Sequence, residues 1–192
     1  MYWIGTNTAD RRCYYILNRR KYTDTEIQKI LKNMIILIDS REKSQAHIVQ
    51  WLDQHKIEHE TLALPSGDYS FALNPIPELD INQKQYFYND IIIERKNSLE
   101  ELSGCFAQTR ERFNDEWSRC YAKRKYLLIE NADYVDLVEG RYNTKYSSKS
   151  FLGSLHSFNA KYNLQVMFMQ DKNYSAAYIV AVLQYYLRYL IK

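Results

Sequence analysis

Three apolar runs in the chain each carry an acidic residue at one end. Residues 34–39 read Met-Ile-Ile-Leu-Ile-Asp and are followed by Arg41 and Glu42; residues 68–73 begin at Asp68, after the turn sequence Leu64-Pro-Ser-Gly. Residues 90–96 read Asp-Ile-Ile-Ile-Glu-Arg-Lys. Continuous apolar runs of this length predict strands buried on both faces. Side chains alternate along a strand, so Glu94 and Lys96 share one face and Arg95 points to the other. By itself Glu-x-Lys is equally an ordinary surface salt pair. If 68–73 and 90–95 pair antiparallel, Asp68 lies next to Glu94. Two carboxylates forced together repel unless a cation sits between them.

The remaining pattern supplies the other layers. Thr23-Asp-Thr-Glu26 is a capping box, and Ile27, Ile30, Leu31 and Met34 follow at helical spacing. Tyr14-Tyr-Ile-Leu17 predicts a short strand, and Arg19-Arg-Lys21 a small basic cluster. Ser44 is placed to cap a helix reaching about His55, and 57–64 alternates like an edge strand. His47, His55 and His59 show no ligand spacing and read as surface histidines. Residues 74–89, with their prolines, predict a polar hairpin extension outside the core. Lys84, Tyr86 and Tyr88 place a cation and two aromatic rings on it.

Ser98 begins a helix that Gly104 is expected to break, with a restart over 108–123 carrying Phe113 and Trp117 on one stripe. A central strand at 126–129, a short helical turn after Asn131, a helix over 150–162, a last strand at 164–169 and a final helix over 173–190 complete the series. Tyr178, Val182, Tyr185 and Tyr189 form one stripe of that final helix, a face that is core, interface or both. The fold class expected is α/β: a mixed β-sheet flanked by helices on both faces.

Composition narrows the functional classes. The 192 residues fit one domain with a real core. A net charge of +3 permits nucleic-acid binding without arguing for it, so any basic surface is local. The 18 tyrosines serve packing or base stacking. Cys13, Cys105 and Cys120 are too few and too spread for a disulfide framework or a structural zinc site, which fits a reduced cytoplasmic setting. No apolar run approaches a membrane span and no signal core opens the chain.

Ile38-Asp-Ser-Arg-Glu42, then Gly67-Asp68, then Glu94-Arg-Lys96 resemble the signature of the XPF-type structure-specific DNA endonucleases, within the wider PD-(D/E)xK nuclease group. That signature runs Gly-Asp, a variable gap, Glu-Arg-Lys, three residues, Asp; here Glu100 stands at the last position. The resemblance continues through Ser98-Leu-Glu-Glu-Leu102, Arg110-Glu-Arg-Phe113 and Tyr126-Leu-Leu-Ile-Glu130. It implies a restriction-endonuclease-like fold, with an N-terminal extension over 1–33 packed on a nuclease domain over 34–192; many members carry helix-hairpin-helix modules after that domain, but with five glycines and a chain ending at Lys192 none is expected here.

The resemblance further implies magnesium-dependent hydrolysis of branched or flapped DNA, in repair or recombination, with manganese as a substitute ion. Asp68, Glu94, Lys96 and Arg95 would be catalytic, and Asp39, Asp68 and Glu94 would ligate the metal. Arg41, Glu42 and Glu100 would support them, although a carboxylate at Glu100 is also favoured simply by the first turn of a helix. Arg110 and Arg112 contact phosphates or face solvent. Arg141, Tyr142, Lys145 and Tyr146 form a basic-aromatic loop that is either a DNA-contacting lid or a disordered surface segment. A homodimer through the tyrosine stripe is expected, and location with the nucleoid if the source is bacterial or phage, a setting that a compact nuclease domain suits. The alternatives are a Holliday-junction resolvase or restriction-type nuclease of the same superfold, and a non-catalytic DNA-binding scaffold.

Overall fold

The structure is a computed structural model that describes Leu17 and residues 20–192. In chain order the elements are α1 (Asp24–Lys32), β1 (Met34–Asp39), α2 (Ala46–Gln54), β2 (His59–Leu62), β3 (Tyr69–Leu73), β4 (Gln85–Tyr86), β5 (Ile91–Lys96), α3 (Leu99–Ala107), α4 (Arg110–Ser118), β6 (Arg124–Glu130), α5 (Tyr134–Glu139), α6 (Ser148–Tyr162), β7 (Leu164–Met169) and α7 (Ser175–Leu190). The strands form one sheet in the order β2-β1-β3-β5-β6-β7, with β4 paired to β3. β1 is parallel to β2 and antiparallel to β3; β3 is antiparallel to β5; β5, β6 and β7 run parallel. The sheet is thus mixed, as the apolar runs and their spacing predict.

Helices cover both faces. On one, α1, α2 and α7 pack Ile30, Ile48, Leu52, Ile179, Leu183 and Leu187 against Ile36, Ile38, Phe71, Leu73, Ile91 and Ile93. On the other, α3, α4, α5 and α6 pack Leu102, Phe106, Phe113, Leu137, Phe151 and Phe158 against Ile92, Leu127 and Ile129. The split follows strand parity: Ile91 and Ile93 go one way and Ile92 the other. The first face is therefore the one that Arg95 shares, and the second the one that Glu94 and Lys96 share. No helix among the described residues is long and apolar enough to cross a membrane.

Local signals held where the side chain that carries them is free to act. Thr23 and Glu26 form the capping box of α1, and Ser98 caps α3 through the Glu101 N–H. Ser44 does not cap α2: Gln45 stands at the cap without a side-chain bond, and the Ser44 N–H donates to Glu42. Gly104 does not break α3, because a mid-helix glycine costs only about 1 kcal/mol and Leu102 and Phe106 bury on either side of it. The restarted helix is shorter than expected, ending at Ser118.

Residues 74–89 are not a polar extension. Ile76, Leu79, Ile81 and Phe87 are buried in the first core, and Phe87 stacks on Phe71 with ring centroids 4.4 Å apart. The expected strand at 14–17 lies outside the described residues apart from Leu17, which is helical and buried. On α7 the buried stripe is Ala176, Ile179, Leu183, Leu187 and Leu190, whereas Tyr185 and Tyr189 are each 68% exposed. The stripe therefore divides: Tyr178 and Val182 pack against the first core, and Tyr185 and Tyr189 face solvent.

Candidate active site

The site forms where β3 begins and β5 ends. Gly67 holds φ at +70°, and a Cβ there would meet the Ile92 side chain at 2.9 Å, so the turn requires glycine. It delivers Asp68 to the sheet, where the Asp68 N–H bonds the Ile93 carbonyl at 2.9 Å. The antiparallel register pairs Tyr69 with Ile93, so Asp68 stands across from Glu94 on the same face. Ladder pairing to β3 stops there. The next donor, the Arg95 N–H, bonds Asp68 Oδ2 at 2.7 Å instead of a main-chain carbonyl. On the other side of Asp68, its carbonyl accepts the Asp39 N–H at 2.8 Å. The three acid-ended strands are therefore neighbours, as the sequence predicts.

The Lys96 ammonium donates to Glu94 Oε1 at 2.6 Å, lies 3.8 Å from Glu101 and sits over the Phe113 ring at 5.4 Å. Burial alone would push the Lys96 pKa down, but the charges of Glu94 and Asp68 more than offset it, and the net shift is upward. Lys96 is thus a charged donor in this arrangement. Asp68 moves the opposite way in character: burial first, then the Glu94 charge, raise its pKa well above the usual carboxylate range, against the pull of Lys96 and the Arg95 N–H. Two carboxylates here share one ammonium, and Asp68 in particular is short of positive charge.

That shortage is the observation that fits a divalent cation. Hard cations take carboxylate oxygens, and magnesium keeps several of its own waters, so two protein carboxylates suffice to seat it. Among the described residues no group of three or more His, Cys, Asp or Glu side chains is gathered closely enough to hold a metal by themselves. Asp39 lies on the same face, but its carboxylate accepts the Leu64 N–H at 3.0 Å and Arg41 Nε at 2.7 Å. Arg41 also donates to the Leu64 carbonyl at 2.6 Å. Asp39 and Arg41 therefore fasten the turn that carries Gly67 and Asp68.

Arg95 points through the sheet to the other face. Its guanidinium donates to Glu130 at 2.6 Å and to Glu42 at 3.0 Å. Glu130, which ends β6, also bonds His47 on α2 at 2.9 Å. The brace by Glu42 agrees with the alternation argument. Glu130 and His47 are residues that sequence reasoning missed. The available signal was that 126–130 is a fourth apolar run ending in an acid.

The outlying residues divide. Glu100 is exposed and accepts the Asn143 N–H at 2.8 Å, which lowers its pKa and ties it to the loop after α5 rather than to Asp68 or Glu94. Arg110 donates to Ser154 and lies over Phe158; Arg112 pairs with Glu116 along α4. The loop after α5 is folded: Arg141 pairs with Asp136 and Glu139, the Tyr142 hydroxyl donates to the Tyr146 carbonyl, and the Tyr146 hydroxyl meets Ser154. Lys145 is exposed beside a cleft of about 490 Å³ lined by Glu100, Glu101, Ser103 and Gln108. Lys84 pairs with Glu60.

The sequence model of the ERCC4 domain matches residues 38–182. No curated protein sequence matches the chain. Among solved structures, the chain is similar to XPF from Aeropyrum pernix, with 18% identity and a TM-score of 0.55 over 79% of this chain and 61% of that one. It is likewise similar to XPF from Aeropyrum pernix in complex with DNA, with 18% identity and a TM-score of 0.57 over 80% of this chain and 65% of the other. The chain thus spans less than two thirds of those proteins, and at this identity the likeness is one of fold.

Proposed function

The chain belongs to the ERCC4-domain family, and from that premise we propose that it is a magnesium-dependent endonuclease hydrolysing phosphodiester bonds in branched or flapped DNA during repair or recombination. The observation that carries the reading is the Asp68–Glu94 pair, two carboxylates across the β3–β5 register with a single lysine, bonded to Glu94, beside them. The DNA bound in the similar Aeropyrum pernix complex supports DNA as the partner.

In this reading Asp68 and Glu94 would hold the cation, with Asp39 supporting them from the neighbouring strand. When bound, magnesium or manganese supplies Lewis acidity and a nucleophile at neutral pH. Lys96, kept protonated by Glu94, orients the attacking water and offsets charge on the phosphate. Arg95 braces the strand end. Arg110, Arg112, Lys145 and the Tyr142–Tyr146 loop would line the approach of a DNA strand, all three cations being exposed. The nuclease unit is 34–192; of the extension over 1–33, the part among the described residues, Leu17 and α1, packs on the first core, and the rest lies outside them. Self-association uses the α7 face, where Tyr126, Tyr178, Tyr185 and Tyr189 line a groove of about 540 Å³. A monomeric mass at micromolar concentration counts against that part.

The test is cleavage of labelled flap, fork, four-way junction and linear duplex DNA, with magnesium or with chelator, by wild type and Asp68→Asn. Metal-dependent cutting of a branched substrate, lost in Asp68→Asn, is the expected result. Cutting confined to the four-way junction, or equal on linear duplex, indicates a resolvase or restriction-type enzyme instead. Tight binding without cutting under either metal indicates a scaffold.

A further inference from the structure

The reverse face of the sheet carries a charge cluster that the proposed chemistry leaves unused. We infer that Glu130 and Glu42 are positioning residues: by clamping the Arg95 side chain they fix the Arg95 N–H that holds the Asp68 carboxylate. The inference rests on reading Asp68 and Glu94 as cation ligands.

The contacts run without a gap from one face to the other. His47 Nε2 lies 2.9 Å from Glu130 Oε1, Arg95 Nη1 donates to Glu130 Oε2 at 2.6 Å, and Arg95 Nη2 donates to Glu42 at 3.0 Å. The main-chain N–H of the same Arg95 donates to Asp68 Oδ2 at 2.7 Å on the far side. Two separate segments converge on this one side chain, the turn after β1 and the end of β6, and α2 reaches it through Glu130. They do so where β5 is paired on one edge only: from Glu94 to Lys96 its ladder continues to β6 but not to β3. β3 and β5 share a single registered pair, Tyr69 with Ile93, so beyond Ile93 no ladder bond to β3 restrains β5. A roll of the strand end about its own axis would carry Glu94 and Lys96 away and withdraw the N–H from Asp68. Because side chains alternate, an anchor on residue 95 at the back resists that roll at the front.

The cluster is a poor choice if stability were its only purpose. Arg95 and Glu130 have side-chain exposures of 2% and 0%, and two carboxylates share one guanidinium. Arg95 Nε and the Tyr69 hydroxyl are buried with no hydrogen-bond partner among the described residues. Well-packed apolar side chains commonly replace such buried ion pairs with no loss of stability. What apolar side chains do not provide is a directional grip on the residue between Glu94 and Lys96.

The experiment measures manganese affinity by the electron paramagnetic resonance of free manganese, without DNA, on the full chain. The variants are Glu130→Gln, Glu42→Gln, Asp68→Asn and the apolar swap Arg95→Met with Glu130→Leu and Glu42→Gln, which leaves no carboxylate unpaired, each with its melting temperature in chelator. Partners that orient ligands typically change metal affinity by about 10–100-fold, so Glu130→Gln is expected to weaken binding by that factor. Glu42→Gln, at the edge of the cluster, does the same to a smaller extent and decides the matter if Glu130→Gln does not fold. The apolar swap is expected to melt like wild type yet bind manganese as weakly as Glu130→Gln. Wild-type affinity in both Gln variants, or in the swap, overturns the positioning role while leaving the proposed function intact. If wild type binds manganese no better than Asp68→Asn, the cation reading falls, and the positioning role with it.

Discussion

The two faces of the sheet at the end of β5 carry nearly the same charges and treat them differently. On the reverse face, each oxygen of Glu130 has its own donor, His47 or Arg95, and Glu42 takes the remaining arm of the guanidinium. On the front face, Asp68 has one N–H and a repelling neighbour, and Glu94 has Lys96. Buried charges normally persist only when paired and hydrogen-bonded. The reverse face meets that condition with protein groups alone; the front face is short of positive charge. The lesson is that a site is recognised less by how many acids it gathers than by which of them the protein declines to neutralise.

The largest expected effect breaks that contrast at its centre. Asp68→Asn removes a ligand of the proposed cation, and losing several kcal/mol of charge stabilisation should slow the proposed cleavage by on the order of a thousandfold. A drop of less than tenfold on the preferred substrate would remove Asp68 from the chemistry. The same substitution should leave the cation-free protein at least as stable, because it relieves repulsion. The pH dependence follows. In the folded protein Asp68 holds its proton more tightly than when unfolded, burial and Glu94 being the causes. Its contribution to stability is therefore present below the ordinary carboxylate pKa and is lost as pH rises through the raised folded value. Melting in chelator should show wild type gaining on Asp68→Asn as pH falls from neutrality, and magnesium should erase the difference at neutral pH. No pH-dependent gap between the two proteins would mean that Asp68 is not starved of charge.

Next in size is the turn that delivers Asp68. Gly67→Ala puts a Cβ 2.9 Å from Ile92 at a φ of +70°, and strain of this kind costs about 1–3 kcal/mol. Denaturant unfolding should show that loss, with cleavage falling as well because Asp68 shifts. Unchanged stability would show that the turn relaxes without holding Asp68 in place.

Much of the front face could be read from local pattern. Alternation alone separates Glu94 and Lys96 from Arg95, and a turn rich in Pro and Gly before Asp68 sets the antiparallel start. The reverse face resisted because Glu130 reaches Arg95 through the parallel register that sets Arg95 beside Leu128, across 35 residues of chain. Periodicity has no access to such a partner. Residues 74–89 misled for a related reason: prolines mark turns correctly, but Ile76, Ile81 and Phe87 are buried by elements far away in sequence. The 139–149 loop looked basic, yet Arg141 is paired with acids two and five residues away.

The smallest effect concerns Glu100, the position where the resemblance breaks. Were it a cation ligand, Glu100→Ala would match Asp68→Asn. Its carboxylate instead accepts the Asn143 N–H, and that bond is what lowers its pKa. A single exposed bond of this kind contributes less than about 1 kcal/mol. Glu100→Ala should therefore slow cleavage by less than about tenfold, the equivalent of 1.4 kcal/mol, through a loosened loop around Lys145. Glu100→Asp, a methylene short of the Asn143 N–H, should behave like the alanine variant. If the aspartate variant instead cleaves faster than wild type, position 100 lies close enough to the cation for a shorter carboxylate to serve it better. The front face would then have to be redrawn with a third acid in it.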